Sequence, residues 1–343
     1  MNLIYSCIFF NEQYLELIQL LLKTYILFGS PDNNTRYLII CNPDFKSKIE
    51  VIFKFLHIDG LIWCIDLHTI FEACYSRLKI FDYPDIDKYN KILYLDCDIL
   101  ITNDLSNILN FQLDDKLYAL NEGHSLGPHD WWGSDFFTPD SNPKTSVFST
   151  CVLLFNNCQI IKNLFNNTLS HIYSHLKDDL PLPMCYDQPF IIFNAVKDKL
   201  YDNKKLIHIV INDPWHTSFN GETISHFPSA PGDFNSKHIK MMKYLYNTMF
   251  HVQFIPNPFI PSIINRAFSI FDPIFSPLQR LSLCFLHNGS FSNFPGSWRP
   301  FNAYLIRADF ANSEYLLKFN SDFSSFIAIR NKDFRIFHGN LIQ

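Results

Sequence analysis

The stretch "NKILYLDCDILITNDL", residues 90–105, sends two carboxylates, Asp96 and Asp98, into an apolar run. Ile92 to Leu95 lead in, and Ile99 to Ile101 lead out. Such a run reads as a buried strand, and residues two apart on a strand face the same way. If residues 96–98 stay extended, both carboxylates leave the C-terminal end of that strand on one side. Open α/β sheets bind their ligands at that edge. Two like charges in an apolar setting are costly unless a cation compensates them. Hard oxygen ligands suit Mg2+ or Mn2+, and such an ion would hold an anion, most simply a diphosphate. The competing reading makes Asp96 and Asp98 a solvated strand end, since the bare tripeptide is common. The preceding "KILYL" and three upstream strand–helix units favour the metal.

Those upstream units are short apolar runs alternating with helical periods. "LIYSCIFF" reads as a strand and "NEQYLELIQLLLKTYILFG" as a helix, with Leu15, Ile18, Leu22 and Ile26 in helical spacing and Gly29 at its end. "TRYLIICN" and "GLIWCIDL" read as strands, and "FKSKIEVIFKFLHI" and "TIFEACYSRLKIFDY" as helices, the last stopped at Tyr83-Pro84. This alternation predicts an α/β fold with an open, mostly parallel sheet covered on both faces. Downstream lie a Trp/Gly/Pro-rich loop at 121–145, a strand "VFSTCVLLFN", a helix at 158–176, and "CYDQPFIIFNAV". A strand "KLIHIVIN", the loop "ISHFPSAPGDFNSK" and "HIKMMKYLYNTMF" follow. The proposed boundary falls at 253/254. Residues 254–277 read as a proline-bearing linker, and 278–343 as a small β-rich module of alternating segments.

Composition removes several classes. The net charge of -5, with no basic block, gives no case for nucleic-acid binding. No run of 18 apolar residues occurs, so no integral membrane segment is expected. The opening "MNLIYSCIFFNEQYLE" lacks a basic region and a cleavage site, so it reads as strand rather than signal peptide. The nine cysteines contain no C-x-x-C pair, which argues against structural zinc and for buried thiols in a reducing, cytoplasmic setting.

On the run at 75–105, "YSRLKIFDYPDIDKYNKILYLDCDILITNDL", the sequence resembles glycosyltransferase family 8. These are retaining enzymes of the GT-A fold that use nucleotide sugars, and the resemblance covers residues 3–245. It implies a metal-dependent hexosyl transfer from a UDP-sugar donor to an acceptor that the sequence does not identify. Asp96 and Asp98 match the family's metal-binding D-x-D, Asp96 also reaching the ribose, and His226 in "ISHFP" matches the third ligand. An added nitrogen ligand favours Mn2+, with Mg2+ the other candidate. Asn11 and Tyr14 match the nucleotide loop, though Asn11 also reads as a helix cap. Arg77 matches a basic residue at the sugar-phosphate, against the plainer reading of a solvated helix face. Asp187 and Gln188 in "CYDQPF" match the pair near the anomeric carbon, against the plainer reading of a helix start capped by Asp187.

Two departures stand out. The family's N-S-G-V appears as Ser149-Thr150-Cys151-Val152, so Ser149 takes the donor-sugar position. The lysine after the metal histidine is missing near Gly232, leaving Lys237, Lys240 or the loop backbone for the phosphate. His129, Trp131 and Trp132 are candidates to stack on an acceptor or to pack as a lid. Two alternatives compete. A haloacid-dehalogenase-type phosphatase wants Thr or Val where Leu100 stands, and carries its motif on an early strand. A transferase-like binding protein without turnover would use its C-terminal module, with Trp298, Phe301 and Tyr304 as a platform.

Overall fold

Apolar runs bounded by polar turns pair here as a sheet ordered β3-β2-β1-β4-β7-β6-β8. The computed structural model describes residues 1–126, 130–137, 142–214, 221–228, 234–250, 267–272, 276–285, 291, 296–300, 305–311, 313–319, 323–330 and 335–342. In chain order β1 (Asn2–Ile8), α1 (Gln13–Phe28), β2 (Thr35–Cys41), α2 (Lys46–Leu56), β3 (Leu61–Cys64), α3 (Ile70–Tyr75) and β4 (Lys91–Leu95) form the first half. β1 pairs in parallel with both β2 and β4, and β2 with β3. The order therefore reverses at β1/β4, which opens a crevice beyond the C-terminal ends of those two strands.

β5 (Ile99–Ile101), α4 (Ser106–Leu109), β6 (Leu117–Leu120), β7 (Ser149–Asn156), α5 (Gln159–Lys177), α6 (Gln188–Lys197), β8 (Tyr201–Asp202), β9 (Val210–Asn212), β10 (Ile224–His226) and α7 (Phe234–Phe250) follow. β7 runs antiparallel between β4 and β6, so the sheet is mixed. One face packs Leu3, Tyr5, Ile92 and Tyr94 against Phe71, Phe165 and Phe190 of the flanking helices. On the other face Tyr37 of β2 meets Tyr25 of α1 at 5.2 Å between ring centroids. Helices thus cover both faces, as the alternation predicted.

Two expectations change. Residues 96–98 are not extended: β4 stops at Leu95, Cys97-Asp98 form a turn, and β5 joins a separate three-stranded sheet, β5-β10-β9. The predicted helix over 69–83 is α-helical only to Tyr75 and continues as 3-10 turns over Ser76–Asp82. Thr69 and Glu72 close a capping box at its start.

The chain divides into two compact units, Met1–Met241 and Met242–Gln343. The second is a seven-stranded antiparallel sheet of β11 (Ala267–Asp272), β12 (Ser276–Cys284), β13 (Gly296–Pro300), β14 (Leu305–Phe310), β15 (Ser313–Phe319), β16 (Ser325–Arg330) and β17 (Ile336–Leu341), in the order β12-β11-β17-β16-β15-β14-β13. β11 and the start of β12 occupy part of the expected linker; the rest of it, 254–266 and 273–275, lies outside the described residues. Trp298 is buried in this unit's core, 5.6 Å from the ring of Phe285, and is no open platform. Phe301 and Tyr304 lie outside the described residues. No helix among the described residues is long and apolar enough to cross a membrane.

Candidate active site

Strand register brings Asp98 and His226 together. β10 pairs antiparallel with β5, placing His226 opposite Ile99, and Phe227 N–H donates to the Asp98 carbonyl at 3.0 Å. Beside it, Asp96 N–H donates to Cys151 O at 2.9 Å, the last bond between β4 and β7 before the chain turns. One ligand atom from each of Asp96, Asp98 and His226 falls within 4.8 Å of the others. The turn therefore achieves the convergence that an extended tripeptide was expected to supply.

The donors suit a divalent cation. Asp98 is 5% exposed, and its Oδ1 is buried with no hydrogen-bond partner, 3.5 Å from His226 Nε2. An orphaned buried carboxylate oxygen facing an imidazole nitrogen is a donor set that fits a cation. His226 Nδ1 lies 2.7 Å from Asn212 Oδ1, its register partner on β9. With Nδ1 as the donor, Nε2 keeps its lone pair on the Asp98 side. Asp98 Oδ2 pairs with Lys237 Nζ at 2.5 Å. Burial would raise the Asp98 pKa, but Lys237 and His226 overcome it and hold the carboxyl below its ordinary value. Burial and the neighbouring Asp98 push Asp96 upward, against Arg77.

Arg77 is the second centre. Its backbone carbonyl accepts from Tyr5 Oη at 2.9 Å, and its guanidinium lies 4.8 Å from the Tyr94 ring centroid. Nη1 donates to Thr150 O at 2.8 Å and reaches Asp96 Oδ1 at 3.4 Å, while Nε lies 3.0 Å from Asp187 Oδ2. Tyr94 Oη donates to Asp96 Oδ1. Arg77 is buried in this network rather than lying on a solvated helix face. Asp187 is 2% exposed, and burial pushes its carboxyl up to about 6 against the pull of Arg77. It stands at the N-cap of α6 without capping it, its oxygens turned to Arg77 instead.

Gln188 opens α6 with its amide held at both ends. Oε1 accepts from Thr150 N at 3.1 Å and from Thr150 Oγ1 at 3.3 Å, and Nε2 donates to Trp131 O at 3.2 Å. Thr150 thus joins Gln188 to Arg77. Ser149 is buried beside it on β7, where it works against the burial that pushes the Cys151 thiol up. Asn11 Oδ1 accepts from Gln13 N at 2.9 Å at the start of α1. Tyr14 is half-buried. Burial pushes its phenol up, and Cys97, Asp98 and Lys237 lie within its electrostatic reach. Trp131 is exposed and donates to Met184 Sδ, whereas Trp132 is buried and stacks on His124 at 5.2 Å. Of the candidate phosphate lysines, Lys237 reaches Asp98 while Lys240 lies 3.6 Å from Asp213. His129 and Gly232 lie outside the described residues. Tyr94, Thr150 and Asn212 were not singled out from sequence. Thr150 carried a hint, as part of the altered N-S-G-V segment.

No curated protein matches the sequence. Among solved structures the chain is similar to the WbbM bifunctional glycosyltransferase, at 13% identity and TM-score 0.48, over 72% of this chain and 50% of that one. It spans half the length of that protein. It is similar to galactosyltransferase LgtC in complex with donor and acceptor sugar analogues, at 17% identity and TM-score 0.47, over 71% and 95% of the two chains. It is also similar to mouse xyloside xylosyltransferase 1, at 11% identity and TM-score 0.46, over 66% and 98%. The profile described as glycosyl transferase family 8 matches residues 66–247, over half of the 343, and spans both acidic motifs and His226. The chain belongs to glycosyl transferase family 8 and is a glycosyltransferase.

Proposed function

We propose that this enzyme moves a sugar from a UDP-sugar donor to its acceptor with retention of configuration. Asp96, Asp98 and His226 would hold the divalent ion. The buried, unpartnered Asp98 Oδ1 facing His226 Nε2 carries this reading. The imidazole in the donor set favours Mn2+ over Mg2+. A divalent ion bound there supplies positive charge to the departing diphosphate.

The protein groups divide the remaining work. Asn11, between β1 and α1, and Tyr14, in the first turn of α1, would border the base and ribose, and Asp96 serves the ribose as well as the metal. Arg77 fixes Asp187 so that its carboxylate accepts from sugar hydroxyls, and Ser149 borders the same space. Gln188 faces the reacting carbon as a fixed dipole. Its Oε1 already accepts two hydrogen bonds from Thr150, and an amide oxygen is a poor nucleophile. This supports same-face substitution, with Gln188 stabilising the positive anomeric centre, over a covalent intermediate. Lys237 replaces the lysine missing near Gly232.

A panel of UDP-sugars screened for Mn2+-stimulated UDP release tests the reading without knowledge of the acceptor. One donor should respond, and Asp98→Ala should reduce its turnover by at least about 100-fold. Metal-independent release, or an Asp98→Ala enzyme as active as wild type, overturns it.

A further inference from the structure

Asp98 raises a question that the metal alone does not answer. The carboxylate is 5% exposed, and one of its two oxygens pairs with Lys237 Nζ at 2.5 Å. A buried carboxylate without a counter-charge is strongly destabilising, so some cation must compensate it whether or not metal is present. Lys237, in the first turn of α7, does so here. A divalent ion entering between Asp96, Asp98 and His226 meets an ammonium already bonded to one of its ligands. Like charges at that separation, in a partly desolvated site, repel strongly.

We infer that Lys237 is the resident counterion of the metal site, and that metal and nucleoside diphosphate bind as a coupled pair because the ammonium must exchange Asp98 for the diphosphate. The inference rests on the metal reading above. Metal arriving alone strands the ammonium beside a dication. Diphosphate arriving alone finds the ammonium engaged with Asp98. Together they exchange partners: the dication takes the carboxylate, and the ammonium takes a phosphate oxygen. No buried charge is left unpaired at the end of the exchange. Such coupling is reciprocal, so UDP tightens metal by the same factor that metal tightens UDP. Only side-chain torsions of Lys237 need change, since its four-carbon stem is flexible.

The test is Mn2+ binding, followed by the loss of the free-ion electron paramagnetic resonance signal, with and without UDP. Wild type should bind Mn2+ weakly alone and about tenfold or more tighter with UDP. Lys237→Met should bind Mn2+ alone about tenfold tighter than wild type, with most of the UDP enhancement gone. Lys237→Arg, which keeps the charge, should behave as wild type. Lys237→Gln carries the same expectation as Lys237→Met should the latter fail to fold. Neutral variants that bind Mn2+ no tighter than wild type, or that keep the full UDP enhancement, overturn the inference and leave the metal site standing. Absence of Mn2+ binding in every protein, with and without UDP, overturns both.

Discussion

At the residue scale the site depends on side chains that touch no reacting atom. Asn212 is the clearest case. Its Oδ1 lies 2.7 Å from His226 Nδ1 and selects the tautomer that leaves Nε2 free on the Asp98 side. Removing a partner of this kind typically costs about 10–100-fold in metal affinity. Asn212→Leu keeps the volume and loses the acceptor, so its Mn2+ dissociation constant should rise by about that factor. Asn212→Asp keeps an acceptor and should retain tight binding. Equal affinities for the Leu variant and wild type, by titration with UDP present, would remove Asn212 from the site. Asn212 was invisible in the sequence for a physical reason. Its role arises from the register of two three-residue strands, and nothing in "KLIHIVIN" reports which residue will face "ISH". Asp96 and Asp98 stood out in the sequence as a pair of carboxylates set into an apolar run, whereas Asp187, Gln188 and His226 were named only through the resemblance to glycosyltransferase family 8. Thr150, which works largely through its backbone, was not singled out.

Elements place those residues, and their junctions decide how well. α6 begins at Gln188, and the turn at Gly133 packs against its next residue, Pro189. Gly133 has φ +77°, and an added Cβ would lie 2.9 Å from Pro189 O. Gly123 shares the positive φ, +80°, with nothing within 4 Å of its would-be Cβ. Both Ala variants incur about 1 kcal/mol for the left-handed backbone. Only Gly133→Ala must also displace the start of α6. Melting curves should therefore show Gly133→Ala lowering Tm by several degrees more than Gly123→Ala, and the donor-turnover assay should show it alone slowing kcat. Equal effects would mean the turn does not brace Gln188. Long apolar or periodic elements such as β1, α1, β2 and α5 were readable from sequence because burial imposes their pattern. The Asp96–Asp98 turn was not, because an apolar run on both sides of it looks like one strand. The break becomes visible only when β5 pairs with β10 instead of continuing β4. β11 and the start of β12 escaped for a related reason: the prolines around them read as linker, yet β11 forms by antiparallel pairing with β12 on one side and β17 on the other.

At the scale of the whole molecule, two units each carry a core. The first packs helices on a mixed sheet whose order reverses at β1/β4, and Asp96 directly follows β4 at that point. The second buries Phe268, Phe285, Leu317, Phe319 and Phe326 within an antiparallel sheet. Separate cores predict separate melting, and the two transitions can be assigned by perturbing one unit at a time. Ligand binding stabilises only the unit that binds, by about 2.7 kcal/mol at a concentration 100 times Kd. Mn2+ with UDP should therefore raise one calorimetric transition and leave the other in place. Gly339→Ala addresses the second unit, since its Cβ would lie 2.2 Å from Phe326 Cζ inside that core. The clash should cost about 1–3 kcal/mol and lower the transition that the ligand does not move. A single transition shifted by both perturbations would mean that the units fold as one cooperative body. In that case the C-terminal sheet would support the site's stability directly, and its core substitutions would register in donor turnover as well as in melting.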